Sequence, residues 1–213
     1  MVLTERIGDL GGDWHAFISQ GTFSLEEYWK IRENNDALFE YIDRFIYISP
    51  SPSTKHQRVS GKIYRGLGNF FEGSPCEAFS APFDIELKNE NIEGTKIVIP
   101  DISVICDPNG FTDARYAGVP ILIVEILSPS NQSHELVTKL NLYMNYGVKE
   151  YWIVNPMLDT ITVYALNEDE MYEQHDLKPL PIKMGRFPDP KGSRFHYDKS
   201  QWRVCTLCFS LSG

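Results

Sequence analysis

Two stretches of this chain, residues 96–106 and 121–127, are dense in Ile, Val and Leu, and each contains one carboxylate. A strand that is apolar on both faces must be covered on both faces, so these runs call for a sheet with other elements packed above and below it. Asp101 follows Pro100 in the first run, and Glu125 stands near the end of the second. Burying one isolated carboxylate costs several kcal/mol unless it is paired or bound to a cation. Two such residues in adjacent core strands therefore invite a shared cation. Hard oxygen ligands of this kind suit Mg²⁺ or Mn²⁺, which keep several waters and need few protein carboxylates. The spacing alone is also met if one acid caps a turn and the other pairs with an arginine.

With 213 residues, 42% of them hydrophobic and 23% charged, the chain is sized for one hydrophobic core with a short appendage. We place one mixed α/β domain in residues 1–172, and an extension of unassigned fold, packed on the same domain, in residues 173–213. The apolar runs are far shorter than the ~20 residues of a membrane-spanning helix, and the first residues lack a basic-then-apolar signal pattern. A cytoplasmic protein without membrane contact is expected. The net charge of −9 opposes a general nucleic-acid coat, so any such role must rest on a local basic face. Four cysteines, Cys76, Cys106, Cys205 and Cys208, are expected as reduced thiols, because the single C-x-x-C has no second pair to complete a zinc set.

Ser24 followed by Glu27 is a capping box that opens a short helix. Residues 38–48 suit two strands joined by a tight turn at Asp43-Arg44. From residue 53 or 54 to about 71 the pattern is helical, with Val59, Ile63, Leu67 and Phe70 on one stripe. Lys55, Arg58, Lys62 and Arg65 form a second stripe beside it, in a stretch without acidic residues between Asp43 and Glu72. This stripe reads either as a solvated face or as a track for phosphates. His56 falls on the inward stripe with Ile63 and Phe70. Strands are expected over 76–87, 96–106 and 121–127, a helix over 133–146 ended by Gly147, and a hairpin from 150–155 and 160–166. No further element is assigned until residues 202–209. The order indicates an α/β or α+β chain with a central mixed sheet flanked by helices.

Several words of the sequence, in the same order, resemble the Uma-two family of restriction endonucleases, abundant in cyanobacteria and placed in the PD-(D/E)xK nuclease superfamily. They are Ser24-Leu-Glu-Glu-Tyr28, Phe39-Glu-Tyr-Ile-Asp43, Ser49-Pro-Ser-Pro-Ser53 with His56-Gln57, Val98-Ile-Pro-Asp-Ile-Ser-Val104, Val124-Glu-Ile-Leu-Ser-Pro-Ser-Asn131, Lys139-Leu-Asn-Leu-Tyr143 and Gly147-Val-Lys-Glu-Tyr-Trp-Ile-Val154. The resemblance implies a restriction-endonuclease-like core and a metal-dependent endonuclease acting on DNA. It assigns Asp101, Glu125 and the backbone carbonyl of Ile126 to Mg²⁺ or Mn²⁺. Leu127 stands where the superfamily usually has its lysine, and the matching lysine is Lys139 on the following helix. Glu40 matches the acidic residue that precedes the core pair, and His56 is a candidate proton carrier or phosphate contact. Lys55, Arg58, Lys62 and Arg65 are candidates for the DNA backbone, and a homodimer is expected. The competing reading is a nuclease-fold protein that binds nucleic acid or a protein partner without efficient cleavage.

Overall fold

The computed structural model describes residues 21–49, 51–128 and 133–179. Helix α1, Leu25–Glu33, starts at the expected capping box: the Glu27 amide donates to Ser24 Oγ at 3.2 Å and the Ser24 amide to Glu27 Oε2 at 2.8 Å. Strands β1, Leu38–Ile42, and β2, Phe45–Ser49, form an antiparallel hairpin across Asp43-Arg44, whose φ angles of 51° and 69° are both positive. Two positive φ values make the tight turn whose twist matches the flanking strands. Helix α2, Thr54–Phe71, has Ser53 as its N-cap, accepting from the His56 amide, and buries His56, Val59, Ile63, Leu67 and Phe71.

The next two expected strands are each broken in two. Residues 76–87 yield β3, Glu77–Ser80, and β4, Ile85–Leu87; residues 96–106 yield β5, Lys96–Val98, and β6, Ile102–Ile105. Pro82 and Pro100 lie in the breaks, and a proline has no N–H for a central ladder. The chain uses both breaks to change sheets. Next come β7, Tyr116–Ala117; β8, Leu122–Ile126; α3, Ser133–Tyr146; β9, Glu150–Asn155; β10, Thr160–Leu166; and β11, Tyr172–Pro179.

The class is mixed α+β, but the expected single central sheet is two mixed sheets. One has five strands in the order β2-β1-β5-β4-β7, the other six in the order β11-β10-β9-β8-β6-β3. Because β11 pairs antiparallel with β10, the larger sheet runs on past residue 172 to Pro179. Residues 173–178 lack the apolar alternation that would predict a strand there. Residues 202–209 lie outside the described part.

Strand β8 is buried along its whole length, as its composition required. Leu122, Val124 and Ile126 meet the α2 stripe of Val59, Ile63, Leu67 and Phe71. On the opposite face, Ile123 joins Ile85, Val98 and Tyr116 of the smaller sheet and Leu142, Tyr143 and Tyr146 of α3. A third cluster packs Tyr28 and Ile31 of α1 on Phe39, Tyr41 and Ile97. The layers therefore run α2, larger sheet, then smaller sheet with α3, then α1. Among the described residues no helix is long and apolar enough to cross a membrane.

The expectation of reduced thiols is corrected at one pair: Cys76 and Cys106 are joined as a disulfide. The register Glu77↔Ile105, extended by one residue, sets them directly opposite each other across β3 and β6. Cysteine spacing cannot reveal a register of that kind. Cys205 and Cys208 lie outside the described residues.

Candidate active site

Strands β6 and β8 are antiparallel neighbours with Ile102 opposite Val124. Continued by one residue, that register sets Asp101 opposite Glu125 at the end of the ladder. Directly opposed residues on one face have Cβ atoms about 4.5–5.5 Å apart, so two carboxylates 24 positions apart in sequence share one small volume. Continued once more, the register sets Ile126 opposite Pro100. The Ile126 amide donates instead to Asp101 Oδ2 at 2.7 Å, and Pro100 has no N–H to offer the Ile126 carbonyl.

Two other elements close on this pair. Helix α3 places Lys139 and Tyr143 one turn apart, on one face. Lys139 Nζ donates to Glu125 Oε1 at 2.9 Å, and the Tyr143 hydroxyl donates to the same oxygen at 3.1 Å. The smaller sheet brings Glu40 from β1. Lys139 Nζ lies 3.1 Å from Glu40 Oε1 and 3.0 Å from Oε2, and the Ile99 amide donates to Oε1 at 2.8 Å. Both Glu40 oxygens are thus engaged, one of them in fixing the crossing segment that carries Pro100 and Asp101. From α2, His56 Nε2 lies 3.1 Å from Asp101 Oδ2, while its Nδ1 is buried without a hydrogen-bond partner.

The structure therefore brings Glu40, His56, Asp101, Glu125 and Lys139 together. All but Asp101 are buried, and Asp101 is half-buried. Three carboxylates face one ammonium and one imidazole. Burial pushes the Glu125 carboxyl up to about 8; Lys139 opposes this, and the charges of Asp101 and Glu40 add to it. Burial alone would hold the His56 ring neutral, but its hydrogen bond to Asp101, with the charges of Asp101 and Glu125, raises its pKa above the ordinary imidazole range. Burial also raises the Tyr143 hydroxyl, with Glu125 next to it. Tyr143 carries no role in the sequence reading, where it only ends the word Lys139-Leu-Asn-Leu-Tyr143. Its place four residues after Lys139 was the available signal.

His56, Asp101, Glu125 and Lys139 form the floor of a cleft of about 390 Å³, which Glu40 and Tyr143 do not line. One wall is α2, through Gln57, Ser60, Gly61 and Tyr64; the other is residues 80–82 at the end of β3; Ser128 lines the rim. Lys55, Arg58 and Arg65 are exposed and Lys62 half-buried, and none of the four lines the cleft. At 3.6 residues per turn, their row lies on one side of the buried stripe of α2 and the cleft-facing row on the other, roughly 130° apart across the solvent side.

A divalent cation fits this donor set in one way. Asp101 Oδ1 and Glu125 Oε2 take no part in the bonds above, and Ile126, whose amide bonds Asp101 Oδ2, has its carbonyl on the same edge of β8. Two carboxylates and a carbonyl suit an ion that keeps waters and shares substrate oxygens. Among the described residues no three His, Cys, Asp or Glu side chains form a closed metal cage. Such an ion would be held weakly until a phosphate joins it.

Residues 25–184 match the profile of the Uma2 family, described as "Putative restriction endonuclease". The uncharacterized protein slr1290 of Synechocystis is 30% identical over 147 residues, which span 68% of this chain and 75% of that protein. A crystal structure from Anabaena variabilis, of "a putative nuclease belonging to DUF820", superposes with a TM-score of 0.60 at 21% identity, over 78% of this chain and 89% of the other. That likeness concerns the fold: the core is restriction-endonuclease-like.

Proposed function

Because the chain belongs to the Uma2 family, we propose that the cleft hydrolyses DNA phosphodiester bonds with Mg²⁺ or Mn²⁺ held by Asp101, Glu125 and the Ile126 carbonyl. The observation that carries this reading is the opposition of Asp101 and Glu125 at the ladder end, with Lys139 bonded to Glu125. When bound, the ion supplies charge neutralisation on the scissile phosphate and acidifies a water. The remaining work belongs to side chains. Lys139 offers an ammonium at the floor, where charge grows on the phosphoryl oxygens. Glu40 is a positioning residue: it holds Lys139 and the Ile99 amide. Tyr143 fixes Glu125 Oε1, and His56 shares a proton at Nε2 with Asp101 Oδ2, so the two carboxylates keep their second oxygens toward the cleft. Lys55, Arg58, Lys62 and Arg65, a quarter-turn or more away from the cleft wall, meet phosphates farther along the strand.

Nicking of supercoiled plasmid tests this. Wild type converts it to open circles when Mg²⁺ or Mn²⁺ is added and not in EDTA, and Asp101→Asn or Glu125→Gln lowers the rate at least ~100-fold, the scale of losing a charge-stabilising group. DNA bound but never cut, under either metal, would make this a binding protein on a nuclease fold.

A further inference from the structure

The cleft wall supplied by α2 differs from its floor: it carries no charge. Gln57, Ser60, Gly61 and Tyr64 face the cleft there, opposite Ser80, Ala81 and Pro82. Tyr64 is the aromatic among these residues, and it is 39% exposed. Gly61 lies one turn before it and Gly68 one turn after it along the same row. A Cβ built on either glycine meets nothing within 4 Å. Tyr64 therefore has open space beside the helix at the glycine positions on either side of it, and it lines the cleft above an acidic, lysine-bearing floor.

A nucleic-acid strand has two chemically distinct parts. If its phosphate lies on the floor, as the reading above holds and as this inference requires, the sugar and base are left to the uncharged wall. A base inside a duplex has both faces stacked on its neighbours, so it cannot offer a face to a side chain without leaving the stack. We propose that Tyr64 stacks on an unpaired nucleobase next to the scissile phosphate, with the notch at Gly61 admitting that nucleotide against α2. The preferred substrate is then a strand unpaired at the cut, such as single-stranded DNA or the arm of a flap.

Three variants decide it: Tyr64→Ala, Tyr64→Phe and Gly61→Leu. Their affinities for a fluorescein-labelled single strand, and for the same sequence as a duplex, are read by anisotropy in Ca²⁺; melting temperatures are read alongside. Stacking predicts that wild type prefers the single strand, that Tyr64→Ala binds it roughly 5- to 150-fold more weakly, and that Tyr64→Phe binds as wild type does. Gly61→Leu puts a better helix former in open space, so it melts at or above the wild-type temperature while blocking the strand. Equal losses in Ala and Phe would assign the effect to the hydroxyl and overturn stacking. So would an unchanged Tyr64→Ala, or a wild type that prefers the duplex. Plasmid nicking by wild type with an unchanged Tyr64→Ala sinks this inference alone. The predicted pattern of binding without any nicking leaves stacking standing and sinks hydrolysis. A wild type that binds neither oligonucleotide overturns both.

Discussion

Lys139 is bonded to two buried carboxylates from different sheets, and this one ammonium is what lets Glu40 and Glu125 be buried together. Removing a partner from a buried ion pair typically costs about 3–5 kcal/mol, because the remaining charge is stranded. Lys139→Met should lose stability on that scale above about pH 8, where the Glu125 carboxyl is ionised, by urea denaturation. As pH falls through about 8 the loss should shrink, because Glu125 then takes up a proton. A pH-independent loss would mean that Lys139 contributes only packing. His56 makes a prediction of opposite form. Its folded pKa is raised, so the stabilisation it gains from Asp101 is fully present below its unfolded value and is lost as pH rises through the higher folded value. The stability difference between wild type and His56→Gln should therefore be largest below about pH 6.5, the ordinary imidazole value, and fall above it. Unfolding curves measured across that range check this. These residues were unequally legible. Asp101 and Glu125 stood out as charges inside apolar runs, whereas Glu40 emerged only through the family resemblance. Its bond to Lys139, which also holds Glu125 of the other sheet, is a long-range contact that no local pattern encodes.

At the scale of elements, local chemistry was read well wherever it was self-contained. The capping box of α1, the span of α2 and the hairpin of β9 and β10 all follow from short-range signals. The broken strands were not foreseen, although Pro82 and Pro100 marked them, because the apolar content of residues 76–87 and 96–106 outweighed the prolines. Pro100 has a specific consequence. Giving that position an N–H, as in Pro100→Ala, would let it bond the Ile126 carbonyl across the ladder. Calorimetry should then show Mn²⁺ affinity reduced several-fold with little change in melting temperature; unchanged affinity would remove the Ile126 carbonyl from the ligand set. The β1–β2 turn offers a second check. Arg44 holds φ at 69°, a conformation that costs a residue with a Cβ roughly 1–2 kcal/mol and glycine far less. Arg44→Gly should be more stable by up to about 1 kcal/mol, measured by urea denaturation, and a loss would show that the arginine side chain outweighs the turn.

In the whole molecule, two sheets and two helices converge on one site. The larger sheet supplies Asp101 and Glu125, the smaller sheet Glu40, α2 His56, and α3 Lys139 and Tyr143. The basic row of α2 was visible from periodicity, but its placement away from the cleft was not. Which flank of a helix meets a cleft is set by how the helix docks on the sheet, through Val59, Ile63, Leu67 and Phe71. The account rests on Asp101 and Glu125 sharing one divalent ion with the substrate. The most direct test is calorimetric titration of Mn²⁺ into wild type, Asp101→Asn and Glu125→Gln, each alone and with an oligonucleotide carrying a non-hydrolysable phosphorothioate at the cut. Weak binding by wild type that tightens with the oligonucleotide, and is lost in both variants, is the predicted result. Binding that survives both substitutions, or no binding by wild type even with the oligonucleotide, would contradict it.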